Sequence, residues 1–230
     1  MTVKTIYAQT RREGMSRETF VHRWRRHAAL AMTQPGFWDP VVRYIQSDRL
    51  SDSSGFPVTG NAYVGVGEIH YSDIAERTRS KRSVELETIL HPDASEFFRR
   101  QDQIHIGVED IYLLRGRYAP VKIYGFVSRT PESQKETFFT EWMELQSRIM
   151  AEARSSHLLR RLVCGRGLEG GAGADGTVEL SFDSVNDAAT FYNEWASRVA
   201  ATVFNTVRPD SIVVVPAFVS LFYDRRYYEG

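Results

Sequence analysis

The sequence predicts an α+β fold that is built from two similar units. The first observation is a repeat: the stretch 18–24, ETFVHRW, returns as 136–142, ETFFTEW, about half of the 230-residue chain away. A match at this spacing indicates one structural unit used twice. The second observation is that short β-rich runs and amphipathic stretches follow one another in the same order in both halves. We therefore expect one unit at residues 1–117 and another at 118–230.

The first unit is predicted to form a strand, a helix, two strands, a helix and a strand. Runs rich in β-branched and aromatic residues place its strands at 3–9, 41–46, 62–71 and 104–114, the last as one broken strand or two short ones. Ser16 is suited to cap the first helix, which should end before a Pro-Gly pair. The second helix is expected within 72–100, where a charged, irregular sequence leaves its limits open. Residues 47–60 should form a polar loop, and Gly65 and Gly67 indicate a bulge or a close approach.

The second unit repeats this order. Its strands are predicted at 121–128, 158–164, 177–182 and 212–222. Ser133 and Glu136 have the spacing of a capping box for its first helix, and Ser184 begins the second. The glycine-rich segment 165–176 should be a flexible loop. It lacks the lysine and the following helix of a phosphate-binding loop.

Each unit thus has the order βαββαβ, which is the ferredoxin-like arrangement of an antiparallel sheet with both helices on one face. A single unit of this kind leaves the other face of its sheet uncovered. A tandem copy can cover it, so we expect two antiparallel sheets that face each other, with the helices outside. The space between the sheets would then be the natural pocket.

The composition excludes several classes of function. The chain has 29 basic and 29 acidic residues, and a zero net charge argues against a general nucleic-acid or anionic-membrane binder. No apolar run approaches the ~18 residues of a spanning helix, and the N-terminal residues resemble a strand more than a signal peptide. The single cysteine, Cys164, excludes an internal disulfide. We therefore expect a cytoplasmic protein with no nucleic-acid or membrane partner.

Three stretches of the first unit resemble a known family. The sequences GMSRETF at 14–20, RWRRHAALA at 23–31 and RYIQ at 43–46 are similar to EthD-domain proteins of the dimeric α/β-barrel superfamily. The second unit is similar through its first helix and through DGTVELSFDS at 175–184. The resemblance implies two fused EthD-like units that form an intramolecular dimeric α/β barrel. Relatives on this barrel include cofactor-independent cyclases, isomerases and lyases, quinone-forming monooxygenases and haem proteins, and fold analogy does not choose among them.

The two units can be compared position by position, because 3–46 aligns with 121–164 without a gap. Trp24 aligns with Trp142, so we expect it to belong to the core. His27 aligns with Leu145, which shows that the fold does not need an imidazole on this helix face. A buried polar ring costs free energy where an apolar one fits, unless it is hydrogen-bonded. His27 is therefore our first candidate for function.

Four strand residues of the first unit complete the candidate site. Tyr44 and Gln46 share one strand face and align with a leucine and a cysteine. Glu68 and His70 share a face of another strand; the glutamate is repeated in the second unit, and the histidine is replaced by serine. Because His70 and His27 occur only in the first unit, we expect the first unit to carry the chemistry and the second to be degenerate.

These residues lead to a functional hypothesis. His27 would act as a general base that removes a proton next to a carbonyl group, and Tyr44 or His70 would donate a hydrogen bond to the enolate oxygen. Trp24, Gln46 and Glu68 would contact the substrate. The substrate is expected to be a hydrophobic aromatic, polycyclic or polyketide-like carbonyl compound, and the reaction an isomerisation, a cyclisation, a dehydration or a retro-aldol (lyase) cleavage.

Two alternatives remain open: a non-enzymatic carrier of a hydrophobic metabolite, and a cofactor-free monooxygenase. No metal or other cofactor is expected. His22 and His27 are five positions apart and do not share a helix face, and a site of His27, His70 and Glu68 would need the fold to bring them together. The protein should be a monomer with an intramolecular barrel, or a homodimer.

Overall fold

The computed structural model describes residues 2–50, 56, 63–99, 103–168 and 172–225. Its eight strands are β1 (Thr2–Thr10), β2 (Val41–Arg49), β3 (Tyr63–Tyr71), β4 (Ile104–Leu114), β5 (Val121–Val127), β6 (Arg161–Gly167), β7 (Gly176–Phe182) and β8 (Val213–Asp224). Its α-helices are α1 (Arg17–Met32), α2 (Pro35–Trp38), α3 (Ile74–Lys81), α4 (His91–Ser95), α5 (Lys135–Glu152) and α6 (Val185–Ala200). No helix in these ranges is long and apolar enough to cross a membrane.

The eight strands form one closed barrel in the order β1-β3-β2-β8-β5-β7-β6-β4, and every neighbouring pair is antiparallel. The first four strands follow one another as β4-β1-β3-β2 and the last four as β8-β5-β7-β6. This confirms the predicted α+β fold with an antiparallel barrel. The two predicted sheets are joined at both edges into one, because β2 pairs with β8 and β4 pairs with β6. Closure satisfies the backbone groups that two open sheets would leave unpaired at their edges.

Strand alternation divides the side chains between the barrel interior and the helical layer. On β1, Ile6 and Ala8 belong to an apolar cluster inside the barrel, together with Val66 of β3. Tyr7 points the other way and packs with Trp24 of α1. The interior is therefore filled by side chains, and the helices cover the outer face of the barrel.

The repeated aromatic residues are core residues, as predicted. Trp24 and Trp142 are completely buried, on α1 and α5 respectively. In the second half, Trp142 and Leu145 of α5 pack in one large apolar cluster with Trp195 of α6. Amphipathic helices that bury one face against a sheet account for this part of the fold.

The predicted helix starts had different outcomes. Ser16 caps α1, as its side chain accepts a hydrogen bond from the backbone N–H of Thr19. The capping box of Ser133 and Glu136 was wrong: α5 begins one residue later than it requires, and the Ser133 hydroxyl bonds to the side chain of Thr130.

Several predicted limits also changed. β4 is one continuous strand, and β2 and β6 extend to Arg49 and Gly167, into segments that were expected to be loops. Polar residues and glycines have a low propensity for strands, so the local sequence favours a loop here. Pairing with the neighbouring strands overrides this propensity and keeps these residues in the sheet. Most of the predicted loop 47–60, the first residue of the strand 62–71, the end of the helical segment 72–100 and part of the glycine-rich segment lie outside the described residues.

The helical segment of the first half is broken into three pieces. After α3, a single π-helical turn at Leu86–Leu90 leads directly into α4. Its charged and irregular sequence is thus matched by short elements in place of one long helix. π-turns inside helices are frequently found at functional sites.

Candidate active site

A cavity in the first half lies between the outer face of its strands and its helices. It has a volume of about 440 Å³, which is within the range of small-molecule sites. Tyr7, Tyr44 and Tyr71 line it from the strands, and His27 and Leu90 line it from the helical side. The predicted pocket between two sheets was wrong, because closure of the barrel fills that space with side chains.

His27 is held in a defined orientation inside this cavity. Its Nδ1 atom lies 2.7 Å from Oδ2 of Asp93 on α4, and its ring makes edge contacts with Phe97 and Phe98. Burial lowers the pKa of His27, and the hydrogen bond and charge of Asp93 offset this effect only in part. The imidazole is therefore neutral at pH 7. With Nδ1–H donated to Asp93, its Nε2 atom carries the free lone pair.

Tyr44 lies at the end of a hydrogen-bond chain whose direction is fixed. Arg25 donates to Oε1 of Gln46, and Nε2 of Gln46 donates to the backbone oxygen of Trp24 (3.1 Å) and to the hydroxyl of Tyr44 (2.8 Å). Arginine can only donate and a carbonyl can only accept, so the Gln46 amide has one orientation. The Tyr44 hydrogen cannot point to Gln46 and is available to Tyr7, 3.1 Å away, or to a ligand.

Both phenols remain hydrogen-bond donors at neutral pH. Burial raises the pKa of Tyr44 above its usual value and raises that of Tyr7 well above it. A neutral phenol in an apolar site can stabilise a developing oxyanion by donating a hydrogen bond, without prior reorganisation.

The second half has apolar side chains at the positions that line the cavity in the first. Leu145 and Leu162 stand where the first half has His27 and Tyr44, and Val127 stands where it has Gln9. All three belong to the large apolar cluster of the second half. The strand registers agree with this alignment, since Gln9 pairs with Gly65 and Val127 pairs with Gly176, its counterpart. The side chains between the barrel and the helices are thus partly polar in the first half and apolar at the equivalent positions of the second half.

A second polar cluster lies inside the barrel and links the two halves. Lys4 of the first half contacts Glu179 of the second, and Lys122 of the second contacts Glu68 of the first. Lys122 also lies 3.1 Å from Glu179, and Lys4 lies 3.7 Å from Glu68. All four side chains are repeated at equivalent positions and at most 3% exposed. Two positive and two negative charges therefore balance in the interior.

The charges of this cluster are stabilised by one another. Burial alone would raise the pKa of Glu68, but the charges of Lys122 and Lys4 lower it well below its usual value. Burial alone would lower the pKa of Lys4, but Asp110, Glu179 and Glu68 raise it well above its usual value. Such a buried network is costly to break, because removal of one charge leaves its partner uncompensated.

His70 belongs to this interior cluster. Its Nε2 atom lies 3.0 Å from Oε2 of Glu68, and its Nδ1 atom is buried without a hydrogen-bond partner among the described residues. Burial lowers its pKa to about 4, although Glu68 acts in the opposite direction. His70 is thus neutral at pH 7 and lies on the opposite face of the sheet from the cavity.

The structure therefore brings together some of the predicted site residues. His27 and Tyr44 line the cavity, and Gln46 donates a hydrogen bond to the Tyr44 hydroxyl without lining the cavity itself. Trp24 is buried beside the cavity without lining it. Glu68 and His70 lie inside the barrel, so the fold does not assemble them with His27. Within the described residues, no group of three or more histidine, cysteine, aspartate or glutamate side chains is arranged to hold a metal ion.

Two residues of the site were missed in the sequence. Tyr7 replaces Gly125 of the second half, so the same comparison that selected Tyr44 could have selected it. Asp93 lies in the irregular helical segment, 66 positions from His27, where no spacing or alignment indicates a contact. It is found only when the helices are packed on the barrel.

A closed antiparallel barrel of two four-stranded halves with outer helices defines a protein of the dimeric α/β-barrel class. Residues 12–101 match the family model of the EthD domain. This confirms the family that 14–20, 23–31 and 43–46 resemble. The similarity of the second half to the same family remains a prediction.

Solved structures share the fold over nearly the whole chain. An anthrone oxidase-like protein matches with a TM-score of 0.62 and 10% identity, over 97% of this chain and 92% of its own. A candidate monooxygenase from Fusobacterium nucleatum matches with a TM-score of 0.56 and 8% identity, over 97% and 94%. A chlorite dismutase mutant from Candidatus Nitrospira defluvii matches with 0.51 and 8%, over 94% and 90%. These identities establish a shared fold alone. No curated protein matches the chain.

Proposed function

We propose that this protein is a cofactor-independent enzyme that removes a proton from a carbon next to a carbonyl group. The observation that carries the proposal is the pairing of His27 with Asp93 in a cavity that also presents Tyr44. The lining is mainly aromatic and aliphatic, which suits a hydrophobic aromatic, polycyclic or polyketide-like substrate.

His27 is the general base of this proposal. Its neutral Nε2 accepts the proton as the C–H bond breaks, and the electron pair of that bond forms the C=C bond of an enolate. Asp93, which accepts from Nδ1–H, orients the ring and stabilises the positive charge that the imidazole gains. This is the role of the acid residue in other histidine–carboxylate pairs. A positioned base of this kind contributes about 10²–10⁴-fold in rate.

Tyr44 is the proposed donor to the enolate oxygen. The chain from Arg25 through Gln46 leaves the Tyr44 hydrogen pointing to the cavity side, where Tyr7 or a substrate oxygen can accept it. His70 was the other candidate for this role. Because it lies inside the barrel, bonded to Glu68, we assign both residues to the network that holds the two halves together.

In this proposal the two units have different roles. Residues 1–117 carry the active cavity, and residues 118–230 complete the barrel. The difference at His27 and Leu145 supports this division, as does the difference at Tyr44 and Leu162. All eight strands come from one chain, so the proposed enzyme does not need a second copy. We also propose a cytoplasmic location, since its one cysteine, Cys164, is free and buried.

Proton exchange tests the proposal without knowledge of the natural substrate. 2-Tetralone carries acidic C–H bonds next to its carbonyl group, and anthrone carries an acidic CH₂ group that is conjugated with its carbonyl through the aromatic rings. Exchange of both in D₂O can be followed by NMR. The enzyme should accelerate exchange, and His27→Leu, which copies the second half, should remove the acceleration. Exchange that survives in His27→Leu would show that His27 is not the base.

The fate of the enolate separates the alternatives. Return of the proton to a different carbon gives isomerisation, loss of a β-hydroxyl group as water gives dehydration, and attack of the enolate carbon on a second carbonyl group of the substrate gives cyclisation. In a retro-aldol cleavage His27 would instead take the proton of a β-hydroxyl group, the C–C bond would break and the enolate would be the product. Oxygen uptake with anthrone that depends on His27 would indicate a cofactor-free monooxygenase, an outcome compatible with the oxidase-like and monooxygenase names of the structural neighbours. Tight binding of these ketones without exchange or oxygen uptake would indicate a carrier protein.

A further inference from the structure

Gln9 is a polar group of the cavity that the proposed reaction does not use. It lies two residues from Tyr7 on β1, so both side chains are on the outer face of the barrel, with Cα atoms about 7 Å apart. Gln9 lines the cavity and is only 4% exposed. Its Oε1 atom is buried and has no hydrogen-bond partner among the described residues.

An amide in this position is unfavourable for the fold alone. Buried polar atoms are almost always hydrogen-bonded, and an unpaired one reduces stability. At the equivalent place in the second half, Val127 is completely buried in the apolar cluster. The fold therefore accepts a hydrocarbon side chain at this position. The first half has an amide there instead, and this amide lines the cavity.

We propose that Gln9 is a specificity-determining residue that binds a hydroxyl group of the substrate. A hydroxyl both donates and accepts, so it can pair with the amide in either of its two orientations. The separation of Gln9 from Tyr7 places this hydroxyl on a different part of the ligand from the carbonyl group at Tyr44. The inference rests on the proposed function and narrows its substrate class to hydroxylated aromatic ketones.

Two matched probes test this inference by binding alone. 2-Acetylnaphthalene and 6-hydroxy-2-acetylnaphthalene differ only in a hydroxyl at the end opposite the ketone. Wild type should bind the hydroxylated probe about two- to tenfold more tightly, the value of one neutral hydrogen bond. Gln9→Met, which keeps the length and removes the amide, should abolish this preference. Equal binding of the two probes by wild type, or no binding of either, would overturn the proposal.

The same titration in His27→Leu separates this inference from the proposed chemistry. If the preference depends on Gln9 in that variant but wild type shows no proton exchange, Gln9 recognises a hydroxyl and the proposed reaction is wrong. If wild type exchanges protons but the preference does not depend on Gln9, the reaction stands and this inference fails. Gln34→Met is the control, because that amide already bonds to Thr33 outside the cavity lining. It should leave the preference unchanged.

Stability without ligand gives an independent readout. Removing an unpaired amide should raise the midpoint of thermal unfolding, by roughly 2–4 °C for a chain of this size. Gln9→Met and Gln9→Val, the latter copying Val127, should both be at least as stable as wild type. A structural role for Gln9 predicts the reverse, and a lower midpoint with an unchanged probe preference would refute the proposal.

Discussion

The phenol ring of Tyr7 lies directly over Gly67, the residue opposite it on β3. A Cβ atom on Gly67 would be 2.1 Å from Cζ of Tyr7, so only one of the two positions can carry a large side chain. The second half has the reverse order, with Gly125 opposite Val178. A Cβ on Gly125 would be 2.7 Å from a methyl carbon of Val178. The first half thus uses this space to bring a phenol beside Tyr44.

This relationship predicts strong coupling between the two positions. Gly67→Val should destabilise the protein by about 1–3 kcal/mol, because the new side chain overlaps the Tyr7 ring. Tyr7→Gly should also destabilise it, by loss of a buried aromatic ring. The double variant copies the second half, and its loss should be smaller than the sum of the two by about 1–3 kcal/mol. Denaturant unfolding of all four proteins measures the coupling, and simple additivity would contradict the shared-space interpretation.

The pairing of His27 with Asp93 predicts a particular pH dependence. Since burial lowers the pKa of His27, the inflection of the proton-exchange rate should lie below the ordinary pKa of a histidine, and the rate should be level at neutral pH. Asp93 raises the pKa of His27, so Asp93→Asn should shift the inflection to lower pH and also reduce the plateau rate. Rate measurements by NMR between pH 4 and 8 test both effects.

The matched control for this pair is His91→Asn, which changes another imidazole that lines the cavity. His91 contributes only a minor lowering of the pKa of His27, so its removal should shift the inflection slightly upward. An inflection that does not move in Asp93→Asn would mean that another group limits the rate.

The chain of donors behind Tyr44 predicts a graded loss of activity. Tyr44→Phe removes the proposed donor to the enolate oxygen and should reduce the exchange rate by about 10²–10³-fold, the usual effect of one oxyanion donor. Arg25→Met leaves Tyr44 in place and removes one of the two partners that orient the Gln46 amide, while the other, the backbone oxygen of Trp24, remains. It should therefore reduce the rate less than Tyr44→Phe does, with little change in ketone affinity. Equal rates for Tyr44→Phe and wild type would assign the donor role elsewhere.

The sequence predicted the elements and part of the site, for identifiable reasons. Helical spacing around Trp24 and the repeat at Trp142 are local patterns, and they correctly indicated two packed helices. His27 and Tyr44 were found because each has a leucine at the equivalent position, which shows that the fold itself does not require them.

The same comparison selected His70, which the structure does not place at the cavity. It also differs between the two halves, but it faces the barrel interior and bonds to Glu68. Strand alternation shows which residues share a face and does not show which face meets the helices. The closing pairs β2–β8 and β4–β6 and the contact of His27 with Asp93 are long-range, and no local pattern encodes them.

Asp110 predicts an unusual effect of pH on stability. Its Oδ1 atom lies 2.9 Å from Nζ of Lys4, but neither carboxylate oxygen makes a well-formed hydrogen bond within the described part of the chain. The charges of Lys4, Lys122, Glu68 and Glu179 already balance, so an ionised Asp110 is an excess buried charge. Burial raises its pKa to about 6, against the opposing effect of Lys4.

A carboxyl group whose pKa is raised by folding stabilises the folded state below its unfolded pKa and loses this contribution as pH rises through the folded value. Asp110→Asn replaces the carboxyl group with an amide that does not titrate. The free energy of unfolding of this variant at pH 7.5 should therefore exceed that of wild type by about 1–3 kcal/mol. The advantage should shrink as pH falls from 6 towards 4. The protonation of His70, which weakens the fold at acid pH, occurs in both proteins and cancels in the difference. Urea unfolding at pH 4.5, 6 and 7.5 measures this, and a pH-independent difference would show that Asp110 does not titrate inside the barrel.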